Sequence, residues 1–443
     1  MRASPWHPVL RRAAGALAFA LAAFGAHAAA ATPTAAPAPA CAWPDWAAFK
    51  RTTLSPDGRV IDASSPDEIT TSEGQSYALF FALVDNDRPT FDRVLGWTEN
   101  NLAGGDLTSH LPAWLWGRLP AGSSAAGASG ASGTASASNA SSAAGSARQP
   151  AAVASGASAT GGGRTGPGGQ AWGVLDANPA SDADLWIAYT LIEAGRLWNE
   201  RRYTALGTTL ARTVAREETA SLPGLGRTVL PGSVGFAPAP GVWRLNPSYV
   251  PLQLIRGLET ALPDQPEWKS LVGTSARLVN ETAPRGFSPD WVEYHSGRGF
   301  APDAQTKAES AYNAIRVYLW AGMLAPADPF RAATLHTFVP LADYVAAHGF
   351  PPERIDTQTA APGPNAGNAG FSAAVVPYLA ALGRADLASA QAARARAMEK
   401  DAPLGYYSSV LALFGLGFMD GLYRFDADGR LVPAWTTTCP ALR

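Results

Sequence analysis

Glu73 stands in the run Ser72-Glu73-Gly74-Gln75-Ser76-Tyr77, where polar sequence gives way to apolar residues. A carboxyl group drawn into aromatic surroundings there is suited to hold a proton and pass it to a leaving group. Two later segments share the arrangement, Ser181-Asp182-Ala183-Asp184 and Ser310-Ala311-Tyr312-Asn313. In each, a serine is expected to open a helix and a polar residue lies in its first turn. An apolar stripe then follows at the i, i+3, i+4, i+7 spacing of a helix buried along one face. The stripes are Tyr77, Phe80, Phe81, Val84; then Leu185, Ala188, Tyr189, Ile192; then Ala314, Val317, Tyr318, Ala321. Acid, acid and amide at the starts of three buried helices point to one shared cleft. The amide departs from two-carboxylate chemistry, which needs an acid there.

Each residue taken singly has a plain structural account. Ser72 and Gln75 have capping-box spacing, and a first-turn glutamate is favoured by the helix dipole. The dipole also favours the ionised form, so burial must outweigh it if Glu73 is to keep a proton. Asp182 and Asp184 read equally well as first-turn carboxylates. Only the three segments together carry the chemical reading.

The elements that must position them are helices. Candidates cover residues 72–86, 88–102, 182–199, 202–217, 248–261, 266–282, 310–323, 328–348, 370–382, 385–398 and 405–419. Short Pro, Gly and Asn joints separate them, and alternating strand runs are few. Paired helices with no repeating sequence period favour a closed ring of helical hairpins over a solenoid.

The 443 residues carry 47% apolar residues, enough for a large core, and a net charge of −2. That charge provides no basic footprint for nucleic acid or an anionic membrane. The 14 Trp and 12 Tyr suit flat ligands such as sugar rings as well as cores. Arg2, Arg11 and Arg12, the apolar residues 13–24 and Ala26-His27-Ala28 make residues 1–28 a secretory signal peptide. Residues 29–40 read as a linker, and the mature protein is expected in the periplasm or outside the cell, with no membrane span. Cys41 and Cys439 would then join the ends of residues 41–443 in a disulfide. Residues 121–169 are Ala, Gly and Ser with almost no large apolar side chain, and are expected to be a disordered insertion within one domain. The six histidines form no ligand set, and His-Glu-x-x-His, paired Cys-x-x-Cys and Gly-x-Ser-x-Gly are all missing. No metal site or cofactor is expected.

Several motifs, in order along the chain, resemble the family 8 glycoside hydrolases. They are the 72–77 run, Leu111-Pro112-Ala113-Trp114-Leu115-Trp116-Gly117, Ala180-Ser181-Asp182-Ala183-Asp184, Asn246-Pro247-Ser248-Tyr249 and Phe287-Ser288-Pro289-Asp290-Trp291. Within the family they are most similar to the periplasmic branch encoded beside bacterial cellulose synthase. The resemblance implies an all-α (α/α)6 barrel of six helical hairpins with an open cleft at one end. It also implies inverting hydrolysis of β-1,4-glucan by a monomer functionally associated with the cellulose synthase complex. Glu73 matches the family's general acid, and Asp182 the aspartate that holds the sugar beside the scissile bond. Tyr249 matches a tyrosine near the attacking water, and Arg316 the arginine of the Tyr-Asp-Ala-x-Arg motif. That motif here reads Tyr312-Asn313-Ala314-Ile315-Arg316, so Asn313 replaces the usual base.

An amide can orient water but cannot take its proton. Glu309, one turn earlier, is the first substitute, followed by Asp290 and Glu293. Trp114, Trp116 and Trp186 are candidate sugar-stacking platforms, Trp186 with a core role as the alternative. Three outcomes stay open: a β-1,4-glucanase, a weakly active or inactive glucan-binding protein, or a hydrolase of chitosan, xylan or mixed-linkage glucan.

Overall fold

The computed structural model describes residues 42–120, 164–165 and 171–437. The expected signal peptide, the linker, the Cys41–Cys439 disulfide and nearly all of the Ala/Gly/Ser insertion lie outside the described residues.

Helices dominate, in the order α1 (Pro44–Thr53), α2 (Ser72–Val84), α3 (Arg88–Leu102), α4 (Ser181–Leu197), α5 (Arg201–Glu217), α6 (Leu252–Ala261) and α7 (Pro266–Glu281). They continue as α8 (Ala314–Gly322), α9 (Arg331–Thr337), α10 (Val339–His348), α11 (Ala369–Ala381), α12 (Ala385–Asp401) and α13 (Tyr406–Met419). Six of them, α2, α4, α6, α8, α11 and α13, form an inner ring in which each packs on the next. The ring closes where Phe414 of α13 stacks on Phe80 of α2 at 5.4 Å and meets Tyr77 edge-on at 5.0 Å. Of the remaining helices, α1, α3, α5, α7, α9 and α12 each lie outside against an inner partner, and α10 packs on α9. This is the (α/α)6 barrel.

Sequence separates the two layers. The outer α5 is amphipathic, with Tyr203, Leu206, Leu210 and Val214 turned inward. The inner helices are buried all round rather than along one stripe, as α2 and α4 show. A helix enclosed by neighbours on every side is apolar on every side. Small residues let two inner backbones touch: a Cβ on Gly322 would stand 2.2 Å from the Tyr378 nitrogen, and one on Gly415 2.1 Å from the Ala373 carbonyl oxygen.

Short antiparallel strands join the helices. The sheet that matters to the site runs β1 (Thr70–Thr71), β2 (Ala113–Arg118), β4 (Ala171–Pro179), β3 (Arg164–Thr165) in spatial order. Thr71 opposes Leu115, and Arg118 opposes Trp172, so the strand before α2 and both ends of the insertion share one sheet. Its strand β3 lies within the span read as disordered, which corrects that reading at the far edge: Arg164 and Thr165 pair with Trp172 and Ala171. Elsewhere β5 (Thr219–Leu222) pairs β6 (Gly226–Val229), and β7 (Val242–Leu245) pairs β8 (Val292–His295), which pairs β9 (Gly299–Pro302). Two further ladders join β10 (Glu309–Ser310) to β11 (Ile355–Asp356) and β12 (Tyr423–Phe425) to β13 (Leu431–Pro433).

Three local expectations change. The helix expected from 310 begins at Ala314, because Ser310 belongs to β10. The helix expected over 328–348 breaks at Phe338, just before Pro340, which has no N–H to continue a helix. Thr71, not Ser72, caps α2, accepting the Gly74 N–H at 3.1 Å.

Candidate active site

The first turns of α2, α4 and α8 point to one mouth of the ring, and a single guanidinium joins them. Arg316 Nη1 donates to Glu73 Oε2, to Tyr77 Oη at 2.9 Å and to Asp182 Oδ2 at 3.1 Å. Its Nη2 donates to Asn313 Oδ1 at 3.0 Å and Ser248 Oγ at 3.1 Å. Tyr249 lies with its ring 5.7 Å from the guanidinium carbon. Glu73, Asp182, Asn313, Arg316 and Tyr249, separated by up to 243 residues in the chain, are thereby gathered at one point.

The support around them is built from buried polar groups. Gln75 does not close a capping box; its Oε1 accepts from Val60 N–H at 2.6 Å and its Nε2 donates to Thr98 Oγ1 at 3.0 Å, tying the start of α2 to α3. Tyr406 of α13 turns its hydroxyl to Glu73 Oε1 at 3.4 Å and fills the space above Gly74. Asn246 Nδ2 donates to Asn313 Oδ1 at 3.1 Å. Asn313 Oδ1 therefore serves two donors, and what remains of the amide is Nδ2, itself a donor. Tyr77, Ser248, Asn246 and Tyr406 join the site beyond the residues expected from sequence; the first three lie within the family-like motifs, and Tyr406 carries no local signal.

Burial sets the charge states. Asp182 is 3% exposed, and burial, opposed by Arg316 and reinforced by Glu73, pushes its carboxyl up to about 7. Two residues further on, Asp184 faces Glu218, both fully buried, and no other hydrogen-bond partner reaches their oxygens among the described residues. Burial, and then the charge of neighbouring carboxylates, drives both well above the usual range. The folded pair therefore keeps protons that the unfolded chain releases above about pH 4. Its contribution to stability is full below that pH and is lost as pH rises toward the folded values. Glu218→Gln keeps a hydrogen bond while removing one titrating group, so its melting temperature relative to the parent should climb between pH 5 and pH 9. A difference independent of pH would show that the pair does not titrate on unfolding.

The other candidates fall elsewhere. Glu309 pairs with Arg354 at 2.6 Å, and Glu293 with His295 at 2.8 Å, so neither joins the Arg316 cluster. Asp290 does reach it, accepting the Asn313 backbone N–H at 3.1 Å, as described below. Trp186, 1% exposed and packed among Tyr77, Phe80, Trp320 and Phe414, has no face for a sugar and belongs to the core. Trp116 is likewise withdrawn as a platform: it is 4% exposed, stacked on Trp172 at 5.4 Å, with the Arg59 guanidinium 4.4 Å from its ring. Trp114 is half-buried on β2, at an irregularity in the pairing with β4. His295 sits partly exposed on β8 beside Arg298.

A ring of helical hairpins with carboxyl groups and an arginine at one mouth is the architecture of a glycoside hydrolase. The chain belongs to the glycosyl hydrolases family 8, whose model matches residues 20–144 and 164–421. An endoglucanase of Xanthomonas axonopodis pv. citri (strain 306) is 44% identical over 405 residues, covering 91% of this chain and 92% of the relative. An endoglucanase of Escherichia coli (strain K12) is 41% identical, covering 90% and 93%. Among solved structures, the endo-1,4-D-glucanase of Vibrio fischeri ES114 superposes with a TM-score of 0.74 at 42% identity, covering 89% of this chain and 100% of that one.

Proposed function

We propose that this chain is an endo-β-1,4-glucanase that cleaves internal linkages of a β-1,4-glucan with inversion. The observation that carries the reading is Arg316 joining Glu73, Asp182 and Asn313 at one mouth of the ring, in a chain 44% identical to a protein named endoglucanase. Glu73 gives its proton to the glycosidic oxygen while water bonds to the anomeric carbon from the other face. Asp182 and Arg316 hold the sugar beside the broken bond, Tyr249 borders the water, and Trp114 offers a ring for stacking. In this reading the N-terminal signal delivers a monomer to the periplasm, where it acts on glucan emerging from the cellulose synthase complex. Among the described residues no helix is long and apolar enough to cross a membrane.

A second reading, a glucan-binding protein with little turnover, is favoured by one observation. Asn313 Oδ1 is engaged by Arg316 and Asn246, and the remaining Nδ2 cannot take a proton from water. Release of reducing ends from carboxymethylcellulose, beside chitosan and xylan, separates the readings. The proposal expects carboxymethylcellulose to be cut fastest. Faster cleavage of chitosan or xylan would sink it, and tight cellulose binding with no release would select the second reading.

A further inference from the structure

Asp290 lies on the loop between α7 and β8 and is 6% exposed. One of its oxygens, Oδ1, accepts three backbone N–H groups at the start of α8: Ala311 at 2.8 Å, Asn313 at 3.1 Å and Ala314 at 2.7 Å. This explains why α8 begins at Ala314, since the carboxylate satisfies donors that a first helical turn leaves unpaired. The other oxygen, Oδ2, accepts nothing from the described residues and is not sealed from solvent.

Its surroundings are those of the catalytic mouth. The next residue, Trp291, packs on Tyr249 at 5.8 Å, and Tyr249 lies over Arg316. Tyr407 of α13, buried and donating to the Tyr312 carbonyl at 2.5 Å, is reached by the charges of Glu73, Asp182 and Asp290 alike. The other carboxylates proposed as substitutes are committed to Arg354 and His295. Glu73 and Asp182 share one guanidinium nitrogen of Arg316, whose other nitrogen donates to Asn313.

We infer that Asp290 is the general base of this enzyme, taking over through Oδ2 the role that Asn313 cannot fill. The inference rests on the glucanase reading above. In the step, a water held at Asn313 gives a proton to Asp290 Oδ2 as its oxygen bonds to the anomeric carbon. The bond from that carbon to the leaving oxygen breaks, and Glu73 supplies the proton that oxygen needs. One water is consumed, Asp290 ends protonated and Glu73 ionised, and solvent restores both. Burial pushes the Asp290 carboxyl up to about 6, against the Ala314 and Ala311 N–H groups that pull it down. The charged groups facing it are Glu309, which raises it, and Arg316, which lowers it. A base near 6 is ionised at neutral pH yet basic enough to matter.

The test compares parent, Asp290→Asn, Asn313→Asp and the double variant on carboxymethylcellulose. The amide oxygen of Asp290→Asn can still accept the three N–H groups, so its melting temperature should fall little. Its kcat should drop by about 10²–10⁴-fold with KM nearly unchanged. The acidic limb of the parent's kcat/KM profile, near pH 6, should vanish with it. Asn313→Asp placed on Asp290→Asn should restore turnover, because a carboxylate again faces the water. Should Asp290→Asn not fold, Asp290→Ser, whose hydroxyl can cap the helix but cannot act as base, replaces it. Unchanged kcat in these variants, a parent profile without the limb, or a loss that Asn313→Asp cannot restore would each overturn the assignment. Hydrolysis by Asn313→Asp but not by the parent would overturn it while sparing the glucanase reading. No hydrolysis by any of the four would overturn both.

Discussion

Glu73→Gln should lower kcat on carboxymethylcellulose by about 10²–10⁴-fold and leave KM nearly unchanged. The amide keeps the shape and can still accept from Arg316 and Tyr406, which bracket the carboxylate in the parent. What it loses is the proton for the leaving oxygen. The deficit should therefore depend on the leaving group. Aryl cellobiosides whose phenol leaves readily need little protonation and should lose far less rate than glucan. Equal losses on both substrates would mean that the substitution disturbs binding geometry, and unchanged turnover on glucan would remove Glu73 from the reaction.

Arg316→Met should cost about 3–5 kcal/mol of folding stability as well as activity. The guanidinium is 3% exposed and serves Glu73, Asp182, Tyr77, Ser248 and Asn313 together. Without it, Asp182, equally buried, has no cation paired with it among the described residues. Lysine should recover only part of the loss, because one ammonium cannot span partners on both guanidinium nitrogens. Urea unfolding at several pH values checks the cause. The deficit should shrink in acid, where a protonated Asp182 needs no counter-charge; a deficit constant with pH would instead point to lost packing.

The helical hairpins could be read from the chain because an inner helix is a long apolar run bounded by Pro, Gly and Asn, a signal that needs no tertiary knowledge. Boundaries failed where a distant residue sets them. Nothing near Ser310 reveals that Asp290 binds the N–H groups of 311, 313 and 314 and delays α8. The same limit explains the tryptophans. Trp114 and Trp116 look alike in sequence, and only the stacking of Trp172 and Arg59 separates a half-buried ring from an enclosed one. Arg316 and the displaced base at Asn313 were legible through the resemblance of Tyr312-Asn313-Ala314-Ile315-Arg316 to the family motif. Tyr406 was not, because it approaches Glu73 from 333 residues away. The Asp184–Glu218 pair was half visible: Asp184 stood in view, but its partner is an ordinary glutamate at the end of α5.

The root of the Ala/Gly/Ser segment has a meaning for how this chain can change over generations. Leu119 N–H donates to the Ala171 carbonyl at 2.9 Å, so the backbone departs and returns side by side. The returning end is held by β3, whose Arg164 and Thr165 pair with Trp172 and Ala171, so only the number of residues between 120 and 164 can change without breaking that pairing. Doubling that number adds only about 0.6 kcal/mol of closure entropy, and the family match itself skips residues 145–163. Length is thus nearly free to drift at this spot while the adjoining strand β1 keeps Glu73 on station. An engineer could use the stretch that the family match skips as a socket for a carbohydrate-binding module whose own termini lie close together.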